Sequence, residues 1–217
     1  MKRTLLVLFL ATFSTAVPAM AGSVNVQITG VGGANQGGVY VAPYYLSINH
    51  QPTFAVMCDD FGHEVTIGES WSGHISTFAD LSNTRFGSAD TQQYDEAAWL
   101  FTKFTANPGQ AGDINFALWA LFTPSTTSSS GYTSGAATWY SDALAWYAAG
   151  GEKTFNFSGF RIITPDDLTS SNSPQEFLSY CPTPEPSTLL LLGTGLLGLG
   201  SFGRKRFSSL SKVAVRS

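Results

Sequence analysis

One feature limits the fold of this chain more than any other. An uncharged run rich in Leu and Gly, Thr188 to Gly203, stands between the proline-rich stretch Pro182–Ser187 and the basic cluster Arg204, Lys205 and Arg206. Such a run must be buried in protein or lipid. As a helix it would rise about 24 Å, somewhat short of a hydrocarbon core of about 30 Å. Flanking residues and slight thinning of the bilayer would make up the difference. The prolines before it favour an extended spacer, because proline fixes φ and lacks an N–H. The basic cluster belongs on the cytoplasmic side, which sets the preceding chain outside.

The other end agrees. Lys2 and Arg3 precede an apolar stretch from Leu5 to Val17, and small residues Ala19 and Ala21 follow. This is the three-part pattern that signal peptidase accepts, with cleavage after Ala21 leaving Gly22 first. An uncleaved N-terminal anchor is the alternative, although the run is short for a span.

Pro184, Glu185 and Pro186, followed by the Leu/Gly span and Arg204-Lys205-Arg206, resemble the PEP-CTERM sorting signal read by exosortases. The tail to Ser217, with Lys212 and Arg216, is long for that pattern. The resemblance implies removal of the anchor near the PEP tripeptide and delivery to the outer envelope or extracellular matrix. It further implies association with exopolysaccharide in biofilm. A plain C-terminal membrane anchor is the competing reading.

The expected division is a signal peptide at 1–21, one extracytoplasmic domain at 22–181, a spacer at 182–187, a transmembrane sorting helix at 188–203 and a basic cytoplasmic tail at 204–217. The formal charge of −4 conceals an asymmetry. Every Asp and Glu lies between Gly22 and Pro186, where the only basic residues are Arg85, Lys103, Lys153 and Arg161. A domain this acidic is a poor ligand for nucleic acid, whose binding rests on Lys and Arg neutralising phosphates. It suits an outer-envelope protein that meets neutral glycans or cations, or one for which the charge serves solubility alone.

The domain reads as α+β: an N-terminal antiparallel sheet or barrel, three helices in the second half, then a final strand. Alternation predicts strands at Ser23–Ile28, Val39–Ile48 (with Pro43 marking an edge or bulge) and Thr53–Cys58, with short ones at Val65–Ile67 and Ser72–Phe78. A helical stripe runs through Tyr94, Ala97, Ala98 and Phe101, with Asp90 and Gln93 placed for a capping box. Asp113 is placed to cap a second helix, and Ser134–Ala149 reads as a third, stopped by Gly150 and Gly151. Thr126–Gly135 has loop composition. Thr154–Ile163 reads as the final strand.

Cys58 and Cys181 are the only cysteines. In an oxidising compartment such a pair is first read as a disulfide, with two free thiols as the alternative. A link closing so long a loop would contribute about 4 to 5 kcal/mol. Phe54–Phe61, Tyr94–Leu100 and Ile114–Phe122 are also distantly similar to bacterial thioester domains of surface adhesins. There a cysteine at a strand end is joined to a helix glutamine. The matching positions here are Cys58 and Asn115, but Asn is a methylene shorter, so the same bond is not expected.

Asp59, Asp60, His63 and Glu64 could hold a divalent metal, yet their spacing fits no standard ligand set, and a solvated turn is the simpler reading. His50 and His74 are isolated. No nucleophile elbow, zinc-protease, Walker or dinucleotide motif is present. The expectation is therefore a non-enzymatic envelope or matrix protein without cofactor or resident metal. Its expected partners are signal peptidase, an exosortase, the membrane before processing, and exopolysaccharide. A covalent adhesin using Cys58, or a secreted hydrolase using Asp59–Glu64, are the alternatives. Trp71, Trp139, Tyr140, Trp146 and Tyr147 could stack on sugars or pack in the core.

Overall fold

The computed structural model describes residues 22–32 and 35–181. The expected signal peptide, the PEP tripeptide, the apolar span and the basic cluster lie outside the described residues. Among the described residues no helix is long and apolar enough to cross a membrane.

Six strands close into an antiparallel barrel: β1 (Val24–Val31), β4 (Tyr44–Ile48), β5 (Phe54–Cys58), β8 (Phe177–Tyr180), β7 (Phe160–Pro165) and β6 (Ser70–Ser76), in that order around the wall. Closure removes the exposed strand edges that would invite pairing with other chains. A small hairpin of β2 (Asn35–Gln36) and β3 (Val39–Tyr40) stands beside it. Gly37 and Gly38, at φ +62° and +89°, form its two-residue turn, where left-handed backbone favours glycine.

The period-2 alternation sorts side chains into two cores. Val24, Val26 and Ile28 of β1, Tyr44 and Leu46 of β4, Val56 and Cys58 of β5, Trp71, Ile163 and Phe177 fill the barrel. Their neighbours Met57, Phe160, Ile162 and Leu178 point outward and pack under the helices. There they meet Tyr94, Ala97, Leu100 and Phe101 of α1 (Thr91–Ala106) and Ile114, Ala117 and Leu118 of α2 (Ala111–Phe122). α2 serves both cores, because Phe116 and Trp119 on its other side plug the barrel mouth. α2 is buried nearly all round, as its Ile114–Leu121 composition requires. α3 (Ser134–Ala148) lies against α1 and α2.

Most expected elements are present, with instructive departures. Val39–Ile48 is two strands rather than one, broken around the cis Ala42–Pro43 peptide, since proline cannot donate to a ladder. Val65–Ile67 is not a strand. The expected final strand begins at Phe160, not Thr154. Phe155 and Phe157 alternate because both pack on the aromatic layer outside the barrel, against Trp146 and Phe78. Among the described residues the last strand is β8, only four residues long.

The two expected caps are also different. Asp90 makes no side-chain cap bond, because a 3-10 turn at Ser88–Asp90 runs directly into α1. Asp113 sits inside the first turn of α2, where it accepts from Gln36 Nε2 at 2.9 Å and Thr133 Oγ1 at 2.6 Å. It thereby ties the hairpin and the start of α3 to α2. Thr133 is the N-cap of α3, accepting from the Gly135 and Ala136 amides. Gly150, at φ +77°, follows its last turn.

The disulfide expectation is corrected. Cys58 is buried inside the barrel, Cys181 is exposed, and both are free. Register explains why. Cys58 pairs with Phe177 at one end of the β5–β8 ladder, and Val56 with Ser179. Cys181 therefore falls beyond the other end, about 14 Å along the strand at about 3.4 Å per residue. A disulfide needs Cα atoms within about 7 Å.

Candidate functional site

The barrel mouth gathers most of the chemistry-bearing residues. β5 delivers Cys58 to the inner wall and then releases the chain as Asp59-Asp60-Phe61. α2 supplies Asn115 and Trp119, and the β7–β8 connection supplies Gln175 and Glu176. The β6–α1 connection supplies Arg85, and α1 supplies Tyr94.

Asn115 latches the mouth. Its Nδ2 donates to the Cys58 carbonyl at 2.9 Å, and its Oδ1 accepts from the Ala42 amide at 2.8 Å. The residue is fully buried, so these bonds satisfy main-chain groups that no water reaches. The structure thus brings together the two positions matched to a thioester, Cys58 and Asn115, but as amide against main-chain carbonyl. The thiol donates to the Asp60 carbonyl at 3.2 Å. Burial, then Asp59 and Asp60, push its pKa well up, so Cys58 is held as an inert thiol. The Trp119 N–H, also buried here, has no hydrogen-bond partner.

The acidic run after Cys58 is not a solvated turn in its first half. Asp59 and Asp60 are 0 % and 2 % exposed. Asp60 is well satisfied: Arg85 Nε lies 2.8 Å from Oδ2, His63 Nδ1 lies 2.9 Å away, and the Gly62 amide donates to Oδ1 at 3.0 Å. Arg85 also donates to Ser173 Oγ and the Pro174 carbonyl. Gln175 Nε2 donates to the Asp60 carbonyl at 2.9 Å.

Asp59 is the opposite. Neither of its oxygens has a hydrogen-bond partner, and the carboxyl of Glu176 lies beside it. Glu176, also fully buried, accepts from Tyr94 Oη at 2.6 Å, from the Arg85 amide at 2.7 Å and from Thr164 Oγ1. Burial raises the Asp59 pKa well above the carboxylate range, and Glu176 and Asp60 raise it further. Burial also raises Glu176, but its three donors hold it back.

Over the mouth lies a groove of about 440 Å³, walled by Tyr40, Tyr44, Phe61, Ile67, Trp119 and Gln175. Phe61 packs on Trp119 at 5.1 Å between ring centroids. Tyr40 and Ile67 are each 51 % exposed on its rim. Glu64 and His63 line it as well, without Lys or Arg.

Among the described residues no group of three or more His, Cys, Asp or Glu is arranged to hold a metal ion. The Asp59–Glu64 cluster is split: Asp60 and His63 face Arg85, Asp59 faces Glu176, and Glu64 reaches the groove. His74 is not isolated. Its Nδ1 lies 3.0 Å from Asp166 Oδ1 and its Nε2 lies 2.7 Å from the Asn83 carbonyl, at the surface. Among the aromatics, Trp71 stacks with Phe177 inside the barrel. Trp146 stacks on Trp99 at the helical surface, half-buried, with Trp139 edge-on to the same ring.

Sequence reading missed Glu176 and Gln175. The one available signal was a carboxylate directly before the apolar Phe177-Leu178, where a charge enters a strand only if it is paired or protonated.

Residues 182–206 match the PEP-CTERM protein-sorting motif family. No curated protein and no solved structure matches the chain. The likeness to thioester domains draws no support from these comparisons.

Proposed function

We propose that this chain is a non-enzymatic envelope or extracellular-matrix protein, released by an exosortase and associated with exopolysaccharide. The observation that carries the reading is the sorting motif at residues 182–206, which supports an exported protein handed to an exosortase. The position of the motif fits such processing. β8 completes the barrel at Tyr180, so a cut at or after Pro182 leaves every strand in place. Signal peptidase acting after Ala21 would likewise spare β1, which starts at Val24.

The non-enzymatic reading draws on the mouth. Cys58, Asp59 and Glu176 have no solvent exposure, and reacting groups must reach a substrate. A covalent adhesin at Cys58 would need the thiol free of its Asp60 contact and the Asn115 amide free of its two main-chain partners. The exopolysaccharide association comes from the family's known setting.

The test compares cells with and without exosortase. Parent cells should yield a released protein whose C-terminal peptide lacks Arg204–Ser217, while exosortase-deficient cells retain it in the membrane fraction. Intact Arg204–Ser217 on the exported protein would overturn the reading. Mass analysis of the same sample addresses the adhesin: a thioester would lower the mass by one ammonia and react with methylamine.

A further inference from the structure

We propose that Asp59 and Glu176 share one proton in the folded protein, and that this proton is an acid-side lock on the barrel mouth which loosens as the surroundings become alkaline. Asp59 and Glu176 lie across from each other just past the Cys58–Phe177 pair, their main chains meet at 3.4 Å, and neither side chain has solvent exposure. Both oxygens of Glu176 are occupied by donors from three separate elements: Tyr94 of α1, Thr164 of β7, and the Arg85 amide of the β6–α1 connection. Neither oxygen of Asp59 has any donor. A carboxylate there would be desolvated, unpaired and in contact with another carboxylate. A carboxylic acid there has its own O–H to give, and Glu176 is the acceptor beside it.

The nearby cation, Arg85, acts on Glu176 but is held by other partners. The charged and titratable groups around Asp59 are Cys58 on β5, Asp60 on its own loop, Glu176 before β8, and Tyr94 on α1. α2 contributes Asn115 and Trp119, neither of which ionises here. Arg85 is committed to Asp60, the Pro174 carbonyl and Ser173, and His63 lies against Asp60. The burial-driven rise at Asp59 agrees with this placement of the proton.

The pair spans the two segments that wall the groove. Asp59 opens the chain that carries Phe61 and His63, and Glu176 follows Gln175. Their backbones also meet, the Asp59 amide lying 3.4 Å from the Glu176 carbonyl. Loss of the proton sets two carboxylates against each other at this seam. The relief is to part the 59–69 loop from the 173–177 segment, which opens the groove wall.

The sign follows from linkage. The folded state binds a proton that the unfolded chain releases near its ordinary Asp value. Stability is therefore full in acid and declines as pH rises towards the raised folded value. Each pH unit in that window shifts the unfolding equilibrium about tenfold per proton held.

The test uses the exported protein and its Asp59→Asn variant, which keeps the shape and supplies a permanent donor to Glu176. Hydrogen exchange in 59–69 and 173–177 should quicken with pH in the wild type beyond the chemical rate, and stay flat in D59N. Infrared spectra of the wild type at neutral pH should contain a protonated carboxyl band that D59N lacks. That band can be sought in the wild type even if D59N does not fold. The absence of the band, or equal pH profiles in the two proteins, would overturn the proposal. So would stabilisation of the wild type by added Ca²⁺ that a chelator reverses, since the pair would then hold a cation instead.

Discussion

Two clusters of carboxyls, each with a histidine beside it, contain similar groups and shift one carboxyl in opposite directions. At the barrel mouth, Asp60 and His63 are backed by Arg85 and surrounded by buried Asp59 and Glu176. At the outer wall, Asp166 and His74 meet at 3.0 Å with side chains 39 % and 28 % exposed. Hydrogen bonds from Ser23 and then His74 lower the Asp166 pKa, whereas burial raises Asp59. Water makes the difference. In the open site a carboxylate keeps its hydration and gains donors. In the closed site it loses hydration first, and only a carboxylate with enough donors stays ionised. Residue type is a poor guide to role here, and the donor count is a better one.

The largest test of this contrast removes the cation of the mouth. Arg85→Met should cost about 3 to 5 kcal/mol, because Asp60 would stay buried without its partner. Denaturant unfolding of wild type and variant measures it, and a loss under 1 kcal/mol would show that the mouth is wetter than described. Next in size, Asn115→Ala orphans the Ala42 amide and the Cys58 carbonyl. At about 1 to 3 kcal/mol per unsatisfied group, a loss of about 3 kcal/mol is expected, with the Ala42 amide exchanging faster by NMR.

The open site should respond weakly. Asp166→Asn should cost under about 1 kcal/mol, since exposed pairs are screened. The sign differs from the mouth. A lowered folded pKa gives stability present above the ordinary Asp value and lost as pH falls through the lowered one. The variant's deficit should therefore be full above about pH 4 and shrink as pH falls below it, so that its thermal melts vary less with pH in acid than those of the wild type. Smallest of all, Cys181→Ser should shift stability by no more than about 0.5 kcal/mol. Reductant should leave the melting temperature unchanged, and iodoacetamide should label Cys181 but spare Cys58 in the folded protein.

Much of the fold was legible in local pattern. Val24-Asn-Val-Gln-Ile28 alternates because one side faces the barrel interior, and Tyr94, Ala97, Ala98 and Phe101 recur at helical spacing because α1 has one apolar face. Both signals are short-range consequences of burial. The pattern misled where burial had another cause: Phe155 and Phe157 alternate within an aromatic layer. It also failed where a strand was too short to show a period, as in Phe177–Tyr180. The site was less legible. Cys58, Asp59 and Asn115 were singled out, but Glu176 was not, and its role depends on facing Asp59 across a gap of more than a hundred residues.

What the sequence determined by itself was the sorting motif at residues 182–206. Apolar length, proline and clustered positive charge act locally, so a sorting motif can be read from residues 182–206 without knowing any contact. The tertiary structure decided everything that depends on distance and dielectric. It set Cys58 and Cys181 at opposite ends of one ladder, spent the Asn115 amide on two main-chain partners, and left Asp59 without a donor beside Glu176. Proton placement and thiol state follow from what surrounds a group after folding, and no local pattern encodes that.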